Sequence, residues 1–339
     1  MRAGPLRRLG SLHTLRLLHD GVVRTLPLIS LGLISGLLGA GVAWWMSATP
    51  SATPSLPVLL PALVREPEPP PPSRDQLVRL QQHQVLSVQR PDGTTIPIGY
   101  TSAVIDPRWV TVEFFGGWNR EMDANADLEA LAFSSGPTFA RAPGNGDLQM
   151  RLHGDLLMAN GLFSAGNRAA AAERAWLGIT SEGALEFGYG ALTPALSDRL
   201  RVFIGGLHAF TNTTQVAPAS YVGVYGEMKL ADVRIIYGLR ADGLLEVIET
   251  DDGVLFSDLR LFVEQKGLLA SYLPDHASKS RLIVPGERHW SEEHAIWVSG
   301  GKPSITQMPF LLRFTPSAAW HLRQPEMASG GTEPHLSDP

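Results

Sequence analysis

Apolar and polar positions are distributed unevenly along this chain. No charged residue occurs from Thr25 to Val64, and the twenty positions from Pro27 to Met46 are almost all apolar. Roughly 20 helical residues cross a bilayer core, so the pattern predicts a transmembrane helix over 27–46. Gly32, Gly36, Gly39 and Gly41 would weaken a helix in water but are common in membrane spans. Trp44 and Trp45 close the segment, where indole rings favour the interface. The small residues Ser47-Ala48-Thr49 leave a cleaved signal peptide as the rival reading. The length of the apolar run and the Trp pair argue for the uncleaved anchor.

Nine prolines then fall between Pro50 and Pro72. Proline favours extended polyproline II and donates no ladder hydrogen bond, so residues 47–74 read as a Pro-rich linker. Ser73 is the expected N-cap of a helix reaching about Leu86, with Leu77, Leu80 and Val85 on one stripe.

The remainder alternates short apolar runs with turn signals. Asp92-Gly93, Glu182-Gly183, Asp242-Gly243 and Asp252-Gly253 each supply the positive φ that a tight hairpin needs. Arg234-Ile-Ile-Tyr-Gly-Leu239 and Leu244-Leu-Glu-Val-Ile-Glu249 read as consecutive strands. Helices are expected at Leu128–Ser134 and at Ser257–Lys266, the latter with Ser257 as N-cap. The fold class that follows is α+β, a sheet-dominated body with flanking helices preceded by one transmembrane helix. Its parts are a basic tail 1–26, the span 27–46, the linker 47–74, an exported domain 75–323 and a polar, disordered tail 324–339.

Charge adds an orientation. Residues 1–26 carry five arginines against Asp20 alone, while the rest of the chain has 23 basic and 32 acidic side chains. Arginines before the span and none directly after it place the N-terminus in the cytoplasm and the body in the periplasm or outside the cell. The acidic balance of the body excludes a nucleic-acid footprint, which needs clustered cations. The absence of cysteine excludes disulfides, zinc–thiolate sites and a cysteine nucleophile. Two histidines in His289-Trp-Ser-Glu-Glu-His294 are five apart, whereas metal-binding helices place them four apart on one face. A turn is the better reading there. Asn212-Thr-Thr214 has the form of a glycosylation sequon. Nothing in the sequence identifies a cofactor or a resident metal.

Several landmarks fall in an order that resembles the phosphodiester glycosidase domain family. They are Met158-Ala-Asn160-Gly161-Leu162-Phe163, Trp176-Leu-Gly178, Ile204-Gly205-Gly206-Leu207, Arg234-Ile-Ile-Tyr-Gly238 and Asp275-His-Ala-Ser-Lys-Ser280. The likeness covers about 150–290. Leu162 stands where the family has a second glycine, and His276-Ala277-Ser278 where it has a glycine triplet. The resemblance implies a sugar phosphodiester as ligand and Arg234, Asp275, Asn160 and Ser280 as site residues. Arg234 would bind phosphate oxygens. Asp275 would act as base or support an oxocarbenium-like centre, and Asn160 and Ser280 would orient the phosphate or a sugar hydroxyl. His276 would be an acid only in a remodelled site. Two readings stay open: a membrane-anchored envelope hydrolase of polysaccharide metabolism, or a catalytically degenerate binding or scaffold module on the same fold.

Overall fold

The computed structural model describes residues 70–142, 149–163, 174–221, 231–274, 280–295 and 308–324, all within the unit Arg65–Pro339. The expected segments 1–26 and 27–46, the linker before residue 70 and the tail after residue 324 lie outside the described residues, as do Asp275 and His276. Among the described residues no helix is long and apolar enough to cross a membrane.

The strands, in chain order, are β1 (Val78–Gln89), β2 (Thr95–Ile105), β3 (Val110–Gly116), β4 (Ala132–Ser135), β5 (Phe139–Ala142), β6 (Gln149–Leu152), β7 (Leu156–Met158) and β8 (Gly161–Phe163). They continue with β9 (Ala175–Thr180), β10 (Leu185–Tyr189), β11 (Leu200–Asn212), β12 (Ile235–Leu239), β13 (Leu245–Thr250), β14 (Ala270–Leu273), β15 (Leu282–Ile283) and β16 (Phe310–Pro316). Short helices α1 (Arg74–Leu77), α2 (Glu121–Ala126), α3 (Pro194–Arg199), α4 (Phe256–Gln265) and α5 (Ala318–Arg323) flank them. The main sheet runs β1-β2-β13-β12-β14-β11-β7-β8, with β9 also on β11 and β10 on β9. A second sheet runs β15-β4-β16-β3, and β5 pairs with β6.

Alternation along β12 explains the layering. Ile235, Tyr237 and Leu239 join Val247 of β13 and Phe310, Leu312 and Phe314 of β16 in the core between the sheets. Ile236 and Ile248 point the other way, onto Leu259, Phe262 and Val263 of α4. A strand buried on both faces has no polar face to show, so its sequence is a continuous apolar run. Tyr237 also crosses the core: Ser134 Oγ lies 2.7 Å from its hydroxyl, which donates to Ser135 O.

All four expected hairpin glycines, Gly93, Gly183, Gly243 and Gly253, have positive φ. Three helical expectations need correction. Only Arg74–Leu77 is helical after Ser73, and Val78–Gln89 is strand β1, paired with β2 through the Asp92-Gly93 turn. Leu80 and Val85 fit a helical stripe by spacing, but Val85 points outward and Val88 into the core, as strand alternation demands. The segment expected to be helical at 128–134 instead ends in β4, whose Ala132 and Phe133 are buried between β15 and β16, while the helix lies earlier, at Glu121–Ala126. The third helix begins one residue earlier than expected, at Phe256, and its N-cap is Leu255, not Ser257.

Both ends of the body are pinned to it. Trp320 Nε1 donates to Pro72 O at 2.8 Å, and Arg74 donates to the carbonyls of Leu128 and Glu129 at 2.9 and 2.6 Å.

Candidate anion-binding site

The long strand β11 changes partners midway. Its first half lies between β9 and β7, and its second half pairs with β14. The change occurs at Gly205-Gly206, where the register with β9 shifts and Gly206 takes φ +79°. Gly205 N donates to Asp155 O at 3.0 Å, and a Cβ on Gly154 would overlap the Gly205–Gly206 backbone. Two chain segments therefore cross at backbone contact, which only glycine permits. Thr138 Oγ1 ties the same bend by donating to Gly206 O at 2.7 Å.

The bulge fixes which way His208 points. Leu207 and Ala209 face the core between the sheets, so His208 projects from the opposite face of the main sheet. Arg174, just before β9, projects from the same face, and its Nη1 lies 3.3 Å from His208 Nε2. The guanidinium can only donate, so Nε2 accepts and the ring proton sits on Nδ1 when the imidazole is neutral.

Arg234 immediately precedes β12 and shares the parity of Ile236, on the α4 face of the sheet. Its backbone is clamped to β13: Arg234 N donates to Thr250 Oγ1 at 2.9 Å, and Thr250 N to Arg234 O at 2.8 Å. The residue is 1% exposed. Burial lowers the pKa of its guanidinium, and the charges of Asp232 and Asp252 act in the opposite direction. Leu273 pairs with His208 and Tyr272 with Tyr237, so Arg234 and His208 stand on the two strands that flank β14. Strand spacing and rise set their Cα atoms roughly 12 Å apart.

Ser280 is buried, and its Oγ has no hydrogen-bond partner among the described residues. Its carbonyl accepts from Arg281 Nη1 at 2.9 Å. Arg281 is buried in turn against Glu121, 3.0 Å away. Burial lowers its pKa, while Glu121 and Glu249 favour the charged form. Glu249 belongs to β13, faces Ile235 of β12 and pairs with Arg288 at 2.5 Å. Ser280 and Arg234 therefore approach the same end of β12–β13, from the small-sheet side and the α4 side respectively.

Asn160 stands elsewhere. It sits in the β7–β8 hairpin at the outer edge of β3, where its Oδ1 accepts from Phe114 N and its Nδ2 donates to Phe114 O, both at 3.0 Å. The amide closes on one residue of β3 as a neighbouring strand would. β3 and β15 are opposite edges of the four-stranded sheet, so Asn160 and Ser280 are separated by its width. Of the four residues that the resemblance implies, Asp275 lies outside the described residues, and Asn160 and Arg234 lie on different elements. Asp155, Arg174 and His208 carried no motif. Their trace in the sequence is a polar residue at the mouth of, or inside, an otherwise apolar strand, as in Ile204-Gly-Gly-Leu-His-Ala-Phe210.

The sequon residue Asn212 is likewise occupied. Its Oδ1 accepts from Thr214 N and Gln215 N, and its Nδ2 donates to Tyr272 OH at 2.9 Å.

No family model matches this chain, and no curated protein matches it in sequence. Its fold is similar to that of the zebrafish N-acetylglucosamine-1-phosphodiester alpha-N-acetylglucosaminidase catalytic domain, solved in a form auto-inhibited by its pro-peptide. The TM-score is 0.50 at 14% identity, over 70% of this chain and 83% of that one. A hypothetical protein from Synechocystis is matched at TM-score 0.40 and 8% identity, over 68% of this chain and 61% of that one. The likeness to the zebrafish domain is one of fold alone: a sheet-dominated α+β body similar in fold to that catalytic domain.

Proposed function

We propose that the body is a glycosidase-like domain that binds a sugar phosphodiester, held at the cell envelope by the 27–46 span, and that it hydrolyses this ligand in polysaccharide metabolism. The observation that carries the reading is the 3.3 Å approach of Arg174 to His208 on the sheet face that Arg234, just before β12, also shares. Two arginines beside an imidazole on one face of a sheet suit a phosphate diester. The fold likeness to a glycosidase catalytic domain supports the same class of ligand. In this reading Arg234 and Arg174 stabilise the negative charge that develops on the leaving phosphate. Asp275 serves the sugar carbon, and Ser280 orients a phosphate oxygen.

A second reading, a binding or scaffold module without turnover, is favoured by Asn160, whose amide is committed to Phe114. One experiment separates the two. The full chain is incubated with a nitrophenyl or UDP-linked N-acetylglucosamine phosphodiester, and sugar release and ligand binding are both measured. Release that is lost in Asp275→Asn and in Arg234→Met supports the hydrolase. Binding that is lost in Arg234→Met, with no release by any variant, supports the module. Neither binding nor release overturns both.

A further inference from the structure

The main sheet ends at β1, which pairs with β2 alone among the described strands. Edge strands are ordinarily blunted by lysine, proline, charge or a bulge. From Leu80 to Gln89 this edge contains no Asp, Glu, Lys, Arg or Pro. Its one interruption is the register shift between Gln81 and Gln84, where His83 takes φ +53°.

The register shows which backbone groups face outward. Gly99 O accepts from Asp251 N, so Gly99 turns toward β13, and its partner Val85 turns away from β2. Alternation then sends the N–H and C=O of Val85, Ser87 and Gln89 outward. Gln89 is already capped: its N–H donates to Gln265 Oε1 at 2.9 Å and its carbonyl accepts from Gln265 Nε2 at 2.8 Å. A side-chain amide stands there in the place of a neighbouring peptide. The uncapped window is Val85–Ser87, bounded by the Gln265 cap on one side and the bulge on the other, and Val85 is 65% exposed.

We infer that this window pairs with the same window of a second copy of the chain, antiparallel about a two-fold axis at Leu86. In that register Val85 of each copy exchanges both backbone bonds with Ser87 of the other, giving four hydrogen bonds, and the two Leu86 residues form the central non-hydrogen-bonded pair. A two-fold contact sets a strand against its own sequence, so a charge at its centre faces itself and repels. The charge-free run is what such a contact requires, whereas pairing with an unlike partner sets no such condition. The contact is small and therefore weak and concentration-dependent. It is independent of the functional reading above.

The chain has no cysteine, so one introduced thiol reports one position. Cα atoms in a non-hydrogen-bonded antiparallel pair lie about 4.5 Å apart, within disulfide range. The full chain bearing Leu86→Cys is expected to form a covalent dimer under mild oxidation, and the chain bearing Gln82→Cys, in the bulge, is not. Ser87→Pro in the Leu86→Cys background removes an outward N–H that β2 does not use, and the dimer is expected to be lost while the circular dichroism melting curve is retained. Should that proline lower the melting midpoint, Val85→Lys in the same background carries the test, with loss of the dimer expected again. Equal cross-linking at positions 82 and 86, no cross-linking at 86, or cross-linking that survives Val85→Lys overturns the inference.

Discussion

The side-chain amide of Asn160 closes on both backbone groups of Phe114, donating to the carbonyl and accepting from the N–H at 3.0 Å each. Asn160→Ala is expected to lower the unfolding free energy by about 1–2 kcal/mol, the net value of two ordinary hydrogen bonds. Asn160→Asp replaces the donating NH2 with a carboxylate oxygen facing Phe114 O, and is expected to cost at least as much. Urea titration measures both. An unchanged midpoint in both variants would remove the edge-capping role.

Arg281 and Glu121 form a buried pair whose side chains are 0% and 4% exposed. Breaking such a pair strands a charge and costs about 3–5 kcal/mol, whereas replacing both partners by apolar residues is often neutral. Arg281→Met alone is therefore expected to be severely destabilising, and Arg281→Met with Glu121→Leu to recover most of the loss. A double-mutant cycle from denaturant curves reads the coupling directly, and additive losses would refute it.

Acid stability should depend on Asp127. Burial alone would raise its pKa, but hydrogen bonds and charge from Arg313, with the backbone N–H groups of Ala130 and Glu129, outweigh it and hold the carboxyl below its ordinary 3.8. A folded-state value below the unfolded one means that the stabilisation is complete above the ordinary carboxylate range and is lost as pH falls through the depressed value. Asp127→Asn removes this component, so the wild type should lose more stability than the variant between neutral and strongly acidic pH. Urea midpoints across that range check the sign, and parallel curves would contradict it.

Gly154 lies against the backbone of Gly205 and Gly206, where a side chain has no space. Gly154→Ala forces either crossing segment to move and is expected to cost about 1–3 kcal/mol. Because the bend at Gly206 sets the face from which His208 projects, the same variant should weaken the proposed phosphodiester binding beyond its effect on stability. Calorimetric titration on the folded fraction would detect this.

The sequence made the turns legible because positive φ has a strong residue preference: three of the four polar–glycine pairs turn the β1–β2, β9–β10 and β12–β13 hairpins, while Asp252-Gly253 turns the chain from β13 toward α4. It made β12 legible because a strand covered on both faces is apolar throughout. It misled at β1, where Leu77, Leu80 and Val85 have helical spacing although ladder partners on β2 decide the outcome. Arg234 stood out through the resemblance of Arg234-Ile-Ile-Tyr-Gly238 to a strand of the phosphodiester glycosidase domain family. Arg174 and His208 did not, because they are brought together by the Gly205-Gly206 bulge, and the side to which a bulge sends a residue is not encoded by neighbouring residue types. Asn160 shows the converse: a residue that fits a motif can be occupied by a strand edge distant in sequence.

The hydrogen bond from Trp320 to Pro72 brings entry and exit of the body to one spot on its surface. A module with adjacent termini can be spliced into a loop of another protein, or cyclised and reopened at a hairpin such as Asp242-Gly243, without pulling its sheets out of register.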